Sequence, residues 1–138
     1  FFAWALCLKA PYFASVHPRF DSLATGRGQV SAPMRRSVKN HLGGFHAIAS
    51  CNLAELVAGT TLDASLPRSH RWIPKSMTVD YLARAATGLT ATATVEDLSC
   101  IGGQESREVV VPVDVCDELG AVVVRADITM WVSPRQPR

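Results

Sequence analysis

The run from Phe45 to Leu62 constrains this chain more than any other stretch. Phe45, Ile48, Ala49, Leu53, Leu56 and Val57 recur at three- and four-residue spacing, the period of a helix. Apolar residues occupy most of the other positions as well, so this helix must be wrapped on several sides. Its single formal charge is Glu55.

The chain beyond the helix supplies the wrapping. Pro67 and Ser69 mark a loop, and the remaining residues alternate with period two. Met77, Val79 and Tyr81 alternate with Ser76, Thr78 and Asp80, and Leu89, Ala91, Ala93 and Val95 alternate with threonines and Glu96. Val109 to Val115 and Val122 to Val132 repeat the pattern, with turn signals at Thr87-Gly88, Gly102-Gly103 and Glu118-Leu119-Gly120. One-sided alternation with short connections indicates antiparallel pairing. Pro112 removes a ladder donor, which places its strand at an edge or at a bulge. Upstream, Phe20 to Met34 reads as a strand or bent hairpin, and residues 35–44 as a polar turn ending in Gly43-Gly44. The expected architecture is α+β: one domain over residues 1–138, a curved antiparallel sheet wrapped around one long helix.

The N-terminal "FFAWALCLKAPYFASV" is apolar, yet Lys9 and Pro11 interrupt it. It falls well short of the roughly 20 apolar residues that cross a bilayer, and it reads as a short amphipathic helix lying on the domain. Four scattered cysteines, Cys7, Cys51, Cys100 and Cys116, form no CxxC pair and read as reduced, mostly core-filling thiols of a cytoplasmic protein. No cluster has metal-ligand spacing. The net charge of +2 is too mild to point to nucleic acid. It is unevenly spread: residues 1–79 hold nine Lys/Arg against three Asp/Glu, and residues 80–138 hold five against nine. A bound anion would lie against Arg35, Arg36, Lys39, Arg68, Arg71 or Lys75; an unevenly charged solvated surface is the ordinary alternative.

An ionised carboxylate costs several kcal/mol to bury without partners, so Glu55 needs an explanation. It could reach solvent on one helical face, pair across a subunit interface, or cap the next turn. Alternatively it is a base or nucleophile in a partly desolvated cleft. The preceding turn bears on the choice. Gly43 and Gly44 allow close backbone approach, and His46-Ala47 open the helix, where free N–H groups and the helix dipole stabilise a developing oxyanion. Asn40 could donate into the same pocket. Amide, imidazole, helix start and carboxylate come from one continuous segment, the parts that acyl-thioester hydrolysis requires.

The run Asn40-x-x-Gly43-x-x-His46, followed by Leu53-Ala54-Glu55, resembles the hotdog-fold acyl-CoA thioesterases. It is most similar to their phenylacetate-pathway and 4-hydroxybenzoyl-CoA thioesterase-like branch, whose motif reads N-x-x-G-x-x-H-G-G and then L-A-[DE]. "MTVDYLARAATG" (77–88) resembles that family's phrase v-x-Y-L-x-P-A-x-x-G. The resemblance implies a hotdog fold and thioester hydrolysis, with Glu55 as base or nucleophile and the Ala47 N–H polarising the carbonyl. Asn40 and His46 would be the positioning residues. "HAI" replaces "HGG" at 46–48, so Ile48 narrows the pocket and alters which acyl chain fits. Gly43 and Gly44 would line the substrate path, and Tyr81 and Trp72 would either line an acyl tunnel or pack on the sheet.

Arg35, Arg36, Lys39 and Lys75 are candidates for the CoA phosphates. His41 and His70 read as surface residues, and Cys51 as core. The resemblance further implies a homodimer or homotetramer with sites at the interface, and no cofactor beyond the CoA of the substrate. Two other functions use the same parts. One is a non-catalytic acyl-ligand binder. The other is a hotdog dehydratase, whose Phe-Pro-Gly entrance is not found here.

Overall fold

Period-two alternation resolves into six strands in the computed structural model, which describes residues 2–99 and 101–136. They are β1 (Arg19–Ala24), β2 (Arg27–Ala32), β3 (His70–Tyr81), β4 (Leu89–Thr94), β5 (Arg107–Cys116) and β6 (Val122–Pro134). The helices are α1 (Phe2–Lys9) and α2 (Ala47–Ser65), with 3-10 helices at Pro11–Val16 and Arg36–Val38. All ladders are antiparallel, in the order β1-β2-β4-β5-β6-β3. α2 lies across one face against β2, β4 and β5, an α+β hotdog arrangement.

The core sits between α2 and that face. Leu53, Leu56, Val57 and Leu62 from the helix meet Leu89, Ala91, Val111, Val113, Val115, Ile128 and Met130, all at most 1% exposed. Each fully buried aliphatic side chain contributes about 1.5–3 kcal/mol relative to exposure. Small residues set how near the helix comes. At Gly28 of β2 an added Cβ would overlap the Thr61 hydroxyl, which donates 2.7 Å to the Val57 carbonyl within α2.

Several boundaries differ from the periodicity. A helix is expected at 45–62, and α2 runs 47–65 because His46 stays extended (φ −65°, ψ 135°) as its N-cap. The hairpin expected at 20–34 turns at Thr25-Gly26, where Gly26 takes φ +80°. β3 begins at His70 rather than 76, and a register shift at Pro74/Ser76 absorbs the proline on an edge strand. Pro112 does not lie on an edge strand, since β5 is flanked by β4 and β6. The β4 ladder reaches only to Val113, so Pro112 lies beyond the pairing on that side.

Cys7, Cys51 and Cys116 are free thiols at the margins of the core, not within it. Cys100 lies outside the described residues. α1 forms where expected but is not amphipathic. None of its residues is buried, because it lies outside the sheet-and-helix sandwich and rests on the Pro11–Val16 helix and β1. Among the described residues no helix is long and apolar enough to cross a membrane.

Candidate functional site

The loop at 40–44 is built on one side chain. Asn40 Oδ1 accepts from the N–H groups of Leu42 (2.9 Å) and Gly44 (3.0 Å), while the Asn40 N–H donates to the Gly44 carbonyl (2.8 Å). Gly43 takes φ +78°, a conformation that favours glycine. At Gly44 a Cβ would sit 2.9 Å from the Ala85 carbonyl, so only glycine fits the close approach. Phe45 N–H donates to that same carbonyl, and His46 N–H to the Val38 carbonyl, both at 2.7 Å. Arg84 Nη2 closes the loop from outside by donating to Leu42 O (2.9 Å). The Asn40 amide nitrogen remains without an acceptor among the described residues.

This clamp fixes the start of α2. His46 Nδ1 accepts the Ile48 N–H (3.0 Å), and the Ser50 hydroxyl donates to Ala47 O (2.6 Å). The Ala47 N–H has no acceptor among the described residues and carries the positive end of a 19-residue helix. Beside it lies a cavity of about 160 Å³ lined by Asn40, Ala47, Ser50, Tyr81 and Arg84, among others. Its lining holds a cation, an amide and no carboxylate, which suits a developing negative charge.

Glu55 lies on the same helical stripe as Ala47 and Cys51, at four-residue steps. That stripe faces the edge strand β3. Cys51 Sγ lies 3.3 Å from the Tyr81 hydroxyl at one end, and Trp72 Nε1 donates 2.7 Å to Asp63 at the other. Gly59 meets the Trp72 ring, where a Cβ would come within 2.6 Å. Between Cys51 and Gly59, Glu55 is half-buried and has no hydrogen-bond or ion-pair partner among the described residues.

The contact with Cys51 pushes the Tyr81 phenol up to about 12, with burial and the charge of the neighbouring sulfur adding to the shift. A raised phenol pKa favours the neutral form in the fold. The stability it brings is therefore complete below pH 10 and is lost as pH rises from 10 toward 12. In a Tyr12→Phe background, ultraviolet titration should show Tyr81 ionising nearer 10 once Cys51→Ala is introduced; an unmoved midpoint would dissociate the two groups.

Residues 1–132 match the family described as a domain of unknown function, DUF4442. The chain belongs to the DUF4442 family. It is 48% identical to the crystal structure of genomics APC5556, with TM-score 0.86 over 97% of this DUF4442 chain and 88% of that one. PA5026 from Pseudomonas aeruginosa, named a probable thioesterase, is 23% identical with TM-score 0.84, over 94% and 91% of the two chains. Thioesterase HI1161 from Haemophilus influenzae is 16% identical with TM-score 0.81, over 94% and 87%. The last two likenesses speak to the fold. No protein of curated function matches.

The DUF4442 fold gathers Asn40, Ala47 and Tyr81 around one cavity, with Gly43 and Gly44 shaping its loop and Glu55 two turns further along α2. His46 and Ile48 face a different cavity of about 240 Å³, shared with Tyr12, Ser37 and Asn52. Arg35 lines a third, of about 380 Å³, with His17, Arg19 and Glu118, while Arg36 and Lys39 are exposed nearby. Lys75 is not brought to any of these sites. It pairs with Glu108 and lies 5.6 Å over the Trp131 ring on the outer face, since Trp131 alternates with buried Met130 and Val132. His70 is buried rather than on the surface, held between Ser69 Oγ and Gly103 O at 2.9 Å each.

Sequence reasoning missed Arg84 and Ser50 as cavity residues. Arg84 had a signal: it stands where the related phrase carries proline. Ser50 had none, being one small residue among many on α2.

Proposed function

We propose that this chain hydrolyses acyl-CoA thioesters at a site shared between two copies. One observation carries the reading. An amide N–H and a carboxylate, both without partners among the described residues, occupy one face of α2 beside an exposed edge strand. The names of PA5026 and HI1161 add support to thioester hydrolysis.

The spacing argues for two copies. Ala47 and Glu55 are eight residues apart, about 12 Å along the axis, and a glutamate side chain spans only part of that. A single thioester carbon cannot touch both groups of one helix. β3 offers a twelve-residue edge whose outer side pairs with nothing among the described residues. A second copy that continues the sheet there, with its α2 antiparallel, sets Ala47 of one protomer against Glu55 of the partner subunit.

In that site Glu55 takes a proton from water, and the oxygen adds to the thioester carbon. The negative charge forming on the carbonyl oxygen meets the Ala47 N–H. Collapse of the tetrahedral species breaks the C–S bond, and the proton held by Glu55 passes to the leaving thiolate. Asn40 serves through its amide nitrogen, because its oxygen is committed to the loop. His46 works as the cap that aims the helix start, a positioning role. Tyr81 borders the acyl chain, while Ile48 faces the neighbouring cavity, and Arg84 joins Arg35, Arg36 and Lys39 as a candidate for the CoA phosphates.

A panel of acyl-CoAs differing in length and ring content, assayed by thiol release, tests the reading. Turnover of at least one class is expected, together with dimeric or larger sedimentation at micromolar concentration. Saturable acyl-CoA binding without CoA release would make the chain a binding protein. A fully active monomer would sink the shared site.

A further inference from the structure

Apolar side chains crowd the outside of the first twelve residues. Phe2, Trp4, Leu8 and Tyr12 are 52%, 63%, 64% and 68% exposed. α1 rests on the domain through half-buried Leu6 and Cys7 and through an edge-on contact of the Phe2 and Phe20 rings, 4.9 Å between centroids. The helix is apolar on every face yet covers the core with only one. The apolar surface continues onto the start of α2, because Tyr12 and the exposed Ile48 line the same cavity.

The charges that this part of the chain carries are mainly positive, although Glu118 shares the cavity beside Arg35. Residues 1–54 hold six Lys/Arg and a single acid, Asp21, which pairs with Arg19. Lys9 ends α1. Arg35, Arg36 and Lys39 sit at the 3-10 helix whose Ser37 and Val38 line the cavity shared with Tyr12 and Ile48. None of these four cations has a carboxylate partner among the described residues.

We propose that this surface seats on an anionic phospholipid bilayer. The helix inserts Phe2, Trp4 and Leu8 to the level of the acyl boundary, and the basic residues meet the headgroups. Aromatic and aliphatic side chains with cations beside them suit the bilayer interface, where rings sit among headgroups and positive charge meets anionic lipid. The eight described residues of α1 are long enough to lie on such a surface. The proposal is independent of the chemistry at Glu55, since its test contains no acyl-CoA.

Cosedimentation tests it, with vesicles of phosphatidylcholine alone and vesicles containing about 30% phosphatidylglycerol. The wild type is expected to partition onto the anionic vesicles only, more weakly as salt is raised. Arg35→Gln, Arg36→Gln and Lys39→Gln together should weaken binding roughly a hundredfold, at about fivefold per cation. Trp4→Glu with Leu8→Glu should abolish it, with circular dichroism reporting the fold; should that variant misfold, the charge variant decides.

Three results overturn the proposal: a wild type that stays in the supernatant with both vesicle types, equal binding to both that ignores the three-charge variant, or full binding by a folded Trp4→Glu/Leu8→Glu protein. A smaller sedimenting species for that double variant, with no vesicle capture of wild type, would assign the surface to contact between copies and also overturn it.

Discussion

Glu55→Gln is expected to lower kcat by about 10² or more while leaving KM within a few-fold. Glutamine keeps the shape and removes both the proton acceptor and the charge. A hundredfold loss corresponds to about 2.7 kcal/mol of transition-state stabilisation. The folded state should lose little, because Glu55 has no partner among the described residues to strand. The melting temperature is therefore expected to hold or rise slightly. Steady-state thiol release and calorimetry on the same preparation separate the two effects. Unchanged turnover would remove Glu55 from the mechanism, and a collapsed melting temperature would make it a structural residue.

Ala47→Pro should lower kcat by about 10²–10³, the usual cost of losing an oxyanion donor. Few positions allow a backbone N–H to be deleted cleanly, but this is one. Ala47 is the first residue of α2, where proline's fixed φ suits the helix and its missing N–H removes no helical bond. His46 before it is extended, as a residue preceding proline prefers. The fold should survive with a melting temperature within a few degrees of wild type.

The two variants together test the shared site. After subunit exchange, a mixture of Glu55→Gln and Ala47→Pro protein should regain about a quarter of wild-type activity, since half the dimers are mixed and each carries one intact site. Sites contained within single chains would regain nothing.

Much of the fold was legible because its signals are local. Alternation at 76–81, 89–96, 109–115 and 122–132 depends only on adjacent residues, and each run supplied strand residues, although β4 stops at Thr94. The apolar period from Phe45 to Leu62 became α2 for the same reason. The candidate site was legible in part. Asn40, Gly43, Gly44 and Ala47 share one continuous segment, so their nearness comes from chain connectivity. His46 went elsewhere, because it stays extended as the N-cap and its ring turns to accept the Ile48 N–H, beside another cavity. Lys75 and Arg84 lie far along the chain from that segment. Their placement, one on the outer face and one at the cavity, depends on register and loop path.

From the sequence alone came the elements, their order and the single acid in an uncharged helix. All of these are properties of neighbouring residues and their spacing. Tertiary structure decided which strand stands at the edge, that Pro112 lies beyond the β4 pairing, and that Tyr81 reaches Cys51. It also left α1 outside the core, with Phe2 and Trp4 each more than half exposed. Those outcomes turn on which distant surfaces meet, and a contact between residues thirty or more positions apart leaves no period in the chain to read.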